Sequence, residues 1–227
     1  MLYLDYWYLI LVVPAIIVAL IAQIKVKSTY AKYNKVSTFY GLSGAEAARR
    51  MLDANGLTHI PVNCISGELT DHFDPKNNVI NLSQAVYNGR TISAVGIACH
   101  EAGHAVQHAV NYGPAALRMA IIPVTNFASM AAFPLILIGF LFTLKPLILA
   151  GIICFGAATV FQLVTLPTEF DASSRALKTV SGLGFLTEEE KKGAKSVLSA
   201  AAMTYVAALL VSLMQLLRLI IIMNRRN

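Results

Sequence analysis

Charge is what this chain has least of. Asp, Glu, Lys and Arg make up 13% of its 227 residues, about half of the ~25% usual in soluble domains. A chain so poor in charge is too apolar to be soluble. Its hydrophobic residues amount to 56%, its mean hydropathy is +0.62, and the excess gathers in long runs, as membrane spans require. Cysteine is scarce too. Cys64, Cys99 and Cys154 are odd in number and lack any paired metal-ligand spacing, which argues against a disulfide framework and suits a reducing compartment for the polar part. Basic residues outnumber acids, for a formal net charge of +6. They cluster beside apolar runs, however, without stacking aromatics or a helix-turn-helix pattern, so a nucleic-acid partner is not expected and a lipid bilayer is. No internal repeat or low-complexity segment is present.

Four apolar runs are long enough to cross a hydrocarbon core of ~30 Å: residues 6–24, 121–143, 147–166 and 200–223. Tyr6, Trp7 and Tyr8 open the first as an interfacial belt would, and Lys25, Lys27, Lys32 and Lys35 follow it. No basic start or small-residue cleavage site marks a signal peptide, so the run is read as an uncleaved anchor. Pro123 and Pro134 fall in the second run, and a tight turn at Lys145-Pro146 is expected to join it to the third. The chain then divides into an anchor (1–25), a first catalytic part (26–118), a transmembrane hairpin (119–166), a second catalytic part (167–199) and a last span (200–227). Both large loops share one side, and their lysines and arginines place that side in the cytoplasm. Arg225 and Arg226 weigh the other way.

Between the spans the polar segments carry recognisable signals. Ser43 with Glu46 forms a capping box, and Asn55-Gly56 a stop, for a short helix over 43–56. Extended segments are expected at 61–65 and 78–82, with turn residues between them. An exposed edge at Val79, Ile80, Asn81 and Leu82 could hold an extended peptide by main-chain hydrogen bonds; a small structural hairpin fits the same pattern equally well. Thr187 with Glu190 makes a second capping box, and Glu188 and Glu189 suit the positive end of the helix that follows.

The stretch that carries chemistry is His100-Glu101-Ala102-Gly103-His104, within a helix expected over 93–109. Residues four apart stack on one helix face with ~6 Å of rise between them, so His100 and His104 can aim two imidazoles at one metal ion. Glu101 sits ~100° round the helix, where a general base takes the proton of a metal-activated water. Gly103 and the flanking alanines leave room for another element to approach. The plain alternative, a helix with two surface histidines and an acid, needs none of this coincidence of types.

A catalytic zinc wants three protein ligands. The third is expected from the segment after the hairpin, which returns to the side of His100. Glu169 is the first candidate; an ordinary acid at a helix start is the alternative reading. Asp171 comes next, as a ligand or as a hydrogen-bond partner of a ligating imidazole. Arg175 is a candidate for oxyanion stabilisation, or simply an ion-paired side chain. His108 continues the histidine stripe, but three ligands on one straight helix would span ~12 Å, too far for zinc bonds of ~2 Å. It is read as a supporting or solvated residue.

Four stretches together carry a resemblance: 67–75 (GELTDHFDP), 79–83 (VINLS), 98–105 (ACHEAGHA) and 166–173 (LPTEFDAS). With these the chain resembles the YugP-type membrane zinc metallopeptidases, the neutral zinc metallopeptidase family, and its wider layout is similar to HtpX and CAAX-processing proteases. The resemblance implies a mainly α integral membrane protein with about four transmembrane helices and a zincin-like, gluzincin-type cytoplasmic catalytic domain containing a small β-hairpin or sheet. It further implies a zinc-dependent endopeptidase with one Zn2+, His100, His104 and Glu169 as ligands, Glu101 as base, and a protein or peptide substrate at the membrane. In the HtpX-like group an Asp four positions after the ligand Glu orients a zinc-bound His. Here that position is Ser173, which leaves Asp171 as the substitute. Two other readings stay open: intramembrane cleavage, with 91–110 itself a span, and a zinc-binding scaffold or transporter, which would have no need of Glu101.

Overall fold

The structure, a computed structural model, describes residues 5–224; Arg225 and Arg226, which the orientation argument weighs, lie outside the described residues. A π-helical turn at Tyr8–Val12 leads into α1 (Val13–Tyr33). Then come α2 (Gly44–Ala54), β1 (Val62–Ile65), β2 (His72–Asp74), β3 (Val79–Ser83), α3 (Gln84–Tyr87) and α4 (Ile92–Ala109). Three long helices complete the chain, α5 (Gly113–Leu141), α6 (Lys145–Gly182) and α7 (Glu188–Asn224). Four helices among the described residues are long and apolar enough to cross a membrane: Tyr8–Tyr33, Gly113–Leu141, Lys145–Gly182 and Glu188–Asn224. The motif helix α4 is not one of them.

The chain forms two compact units. One draws on the described parts of Met1–Gln23, Ala116–Leu166 and Met203–Asn227; the other comprises Ile24–Ala115 and Pro167–Ala202. In the first, Ile136 and Phe140 of α5 pack with Ile148 and Ile152 of α6 and Leu219 of α7. Gly139 permits this closeness, since a Cβ there would stand 2.7 Å from the Ile148 backbone nitrogen. Small residues let apolar helices meet in this way. The expected turn at Lys145-Pro146 falls instead at Phe142-Thr143-Leu144, where Thr143 takes φ 55°. Pro146 lies in the first turn of α6, where its missing N–H costs no intrahelical bond. Arg218 is a buried charge on α7, paired with Asp5 through Nη2 at 2.5 Å and Nε at 2.9 Å. A buried charge is tolerated when paired in this way.

The second unit has a core of α2, α4, the sheet and the inner faces of α6 and α7, with Met51, Leu52, Ile80, Leu82, Val95, Cys99 and Val180 all nearly inaccessible. The helix α2 begins at Ser43, whose side chain accepts from the Glu46 N–H while Glu46 accepts from the Ser43 N–H. It closes at Asn55, with Gly56 at φ +74°. The second capping box forms as well, between Thr187 and Glu190. The helix it opens does not stop before the last apolar run but continues as α7 to Asn224. Likewise α6 passes through Pro167 without breaking.

The sheet corrects one expectation. Its order is β1-β3-β2, with β1 parallel and β2 antiparallel to β3. Val79, Ile80, Asn81 and Leu82 therefore lie in the central strand, hydrogen-bonded on both sides and largely buried. They offer no edge to a peptide. The hairpin partner of β3 is β2, a strand that the turn signals around Asp74 obscure. Asp71 ties the two together by accepting from the N–H and hydroxyl of Ser83.

Candidate metal centre

Thr91 starts α4 by accepting from the Ala94 N–H, and the helix then runs through small buried residues, Ala94, Gly96, Ala98, Ala102, Gly103 and Ala105. Their lack of bulk lets α6 come close. A Cβ on Gly103 would lie 2.7 Å from the Ala172 carbonyl oxygen. This approach carries Glu169, itself 3% exposed, to the histidine face of α4.

His100 and His104 stand one turn apart with ring centroids at 4.7 Å. Glu169 Oε2 lies 3.4 Å from His100 Nε2 and 3.6 Å from His104 Nε2. One donor atom from each of the three residues lies within 4.8 Å of the others. Bonds of ~2.1 Å in a tetrahedral shell put neighbouring donors about 3.4 Å apart, so the donor set fits a zinc ion in spacing and chemistry.

Each imidazole is held from behind. His100 Nδ1 meets Ser173 Oγ at 3.1 Å, and His104 Nδ1 meets Gln107 Oε1 at 2.9 Å. Gln107 Oε1 can only accept, which assigns the ring proton of His104 to Nδ1; the Ser173 hydroxyl can donate to or accept from His100, and the Nε2 atoms of both rings face Glu169, the arrangement metal-binding histidines use. Gln107 is 1% exposed and fully engaged, donating from Nε2 to the Thr168 carbonyl and to Asp171 Oδ2, each at 2.8 Å. Asp171 therefore reaches His104 through Gln107 rather than contacting an imidazole, and it also accepts from Arg175 Nε at 2.6 Å. Arg175 lies against the Tyr112 ring as well. Ser173 itself occupies the place where Asp171 was expected.

Burial works against protonation of His104, but its hydrogen bond to Glu169 and the nearby carboxylate of Glu101 outweigh it, so its pKa is raised. Cys99, beside His100 in sequence, points into the core, and burial pushes its thiol up to about 12.

Glu101 lies beside the cluster and outside it. Its Oε2 accepts from the Phe73 N–H at 3.0 Å, so this amide points away from β3 and along the free edge of β2. His108 is exposed, with its ring 5.7 Å from that of Phe73, and stands apart from the donor set. Gln107, Phe73 and Ser173 were not foreseen in these roles. For Gln107 a signal existed: an uncharged polar residue three positions after a candidate ligand histidine lies on the same helix face.

Over residues 8–224 the chain matches the family described as "Putative neutral zinc metallopeptidase". It is 52% identical over 221 residues to a protein of Bacillus subtilis (strain 168) named "Putative membrane protease YugP", covering 97% of this chain and 98% of that one. No solved structure matches.

Proposed function

Because the chain belongs to the neutral zinc metallopeptidase family, we propose that it is a zinc-dependent membrane endopeptidase in which His100, His104 and Glu169 hold the metal and Glu101 is the general base. The convergence of two Nε2 atoms on one Glu169 oxygen carries this reading. Three protein donors, rather than the four of a closed structural site, leave a coordination position for chemistry. Bound there, zinc supplies the Lewis acidity that polarises a scissile carbonyl and acidifies a water. Glu101 accepts the proton of the attacking water and returns a proton to the leaving amine nitrogen. Glu169 would offset part of the charge of the bound metal, while Ser173 and Gln107 keep both rings turned inward.

A peptide or protein substrate, membrane-associated in keeping with the four apolar helices, would lie extended along the outer edge of β2, the free edge nearest Glu101. The catalytic unit has the character of a zincin and faces the cytoplasm, a placement supported by the basic residues from Lys25 to Lys35, Arg49 and Arg50. The test compares purified wild type with Glu101→Gln for zinc content and for casein cleavage. Full zinc in both and cleavage only in wild type is expected; equal cleavage by the two would remove Glu101 from the reaction. Zinc transport into vesicles without proteolysis would instead favour a scaffold or carrier.

A further inference from the structure

Between the C-terminal half of α6 and the first turns of α7 lies an open cleft of about 650 Å³, within the size range of ligand sites. We propose that it binds the headgroup of an anionic phospholipid. Lys178, Lys191 and Lys195 line it, and none of its lining residues is acidic. Lys178 and Lys195 are exposed, and Lys191 stands 3.7 Å from Glu188 at the helix start. Phe170, 46% exposed, and Leu177 supply an apolar wall in the same cleft.

The combination selects the ligand. A phosphodiester satisfies ammonium groups placed as point charges, and the glycerol and first acyl carbons satisfy the apolar wall. An inorganic anion would leave that wall without a partner. Both walls also belong to helices that carry a candidate membrane span, and basic pockets between such helices are a recurrent place for acidic headgroups. The cleft shares Ser173 with the metal cluster, through the hydroxyl that meets His100 Nδ1. The assignment does not depend on proteolysis.

The full chain is placed in phosphatidylcholine nanodiscs doped with either a photoactivatable phosphatidylglycerol or the matched phosphatidylcholine, and cross-links are mapped to peptides covering 170–182 and 191–199. Labelling by the glycerol lipid should exceed that by the choline lipid about fivefold. Lys178→Gln with Lys195→Gln should reduce it at least about threefold, and Lys178→Arg with Lys195→Arg should restore it. Lys192→Gln, whose lysine is exposed and paired with Glu189 outside the cleft, should change nothing. Equal labelling by the two lipids, or undiminished labelling of the glutamine variant, would overturn the proposal. So would displacement of the label at constant ionic strength by inorganic phosphate or by a soluble polyglutamate peptide, which would assign the cleft to a free anion or an acidic protein segment.

Discussion

Gly103 and Ala172 touch so closely that the Cβ of an alanine at 103 would meet the Ala172 carbonyl oxygen at 2.7 Å. The obstacle is backbone, which cannot swing aside as a side chain would. Gly103→Ala should therefore push α4 and α6 apart at the level of Glu169, costing about 1–3 kcal/mol of stability. A lower melting temperature together with reduced zinc content is the expected result. An unchanged zinc stoichiometry would mean that the contact does not set the donor spacing.

The donor residues and the base should separate cleanly in metal analysis. His100→Ala, His104→Ala and Glu169→Ala are expected to lose the metal, whereas Glu101→Gln should retain it and lose cleavage by about 10²–10⁴-fold. Full occupancy in Glu169→Ala would exclude that carboxylate as a ligand.

Gln107→Leu removes the acceptor behind His104 and leaves Asp171 with one donor fewer. Zinc affinity, measured by competition with a chromogenic chelator, should weaken about 10–100-fold. Ser173→Ala should act in the same direction through His100.

Proton competition sets the pH dependence of metal binding. Glu169 and Glu101 raise the pKa of His104 against the effect of burial, so in the metal-free protein this ring holds its proton to higher pH than the ~6.5 of a free imidazole. Zinc requires the neutral ring. Its apparent affinity should fall as pH is lowered through the raised pKa of this ring, with protons released on binding. Titration calorimetry in buffers of different ionisation enthalpy reads that release directly.

Cys99 should be inert despite its place next to His100 in the sequence. Its thiol is fully buried, with a pKa of about 12, and the thiolate is the reactive form. Brief iodoacetamide treatment of the folded protein at mildly alkaline pH should modify the exposed Cys64 and spare Cys99. Labelling of Cys99 at a comparable rate would show that α4 opens readily.

Signals confined to a few neighbouring residues were legible. Both capping boxes, the four apolar stretches and the motif helix follow from local chemistry that nothing distant overrides. Helix lengths were less so. Hydropathy shows where apolar sequence ends, and α6 and α7 simply change the character of their surface there without unwinding. Pro167 lies within α6 and does not interrupt it. The sheet misled for a different reason. β1 and β3 pair in parallel across a connection that contains β2, and three residues, His72, Phe73 and Asp74, are too few to show a strand's alternation. The polar groups behind the histidines were hidden because Gln107 and Ser173 carry no charge, and an Asp nearby was the more obvious partner.

The amide of Phe73 now spends its hydrogen bond on Glu101. Any chain that adds itself to that border of the sheet must claim the same N–H and so take it from the carboxylate. Under the proposed mechanism, arrival of a substrate and release of Glu101 to act as base would be a single exchange, leaving the site idle until something worth cutting is in its grip.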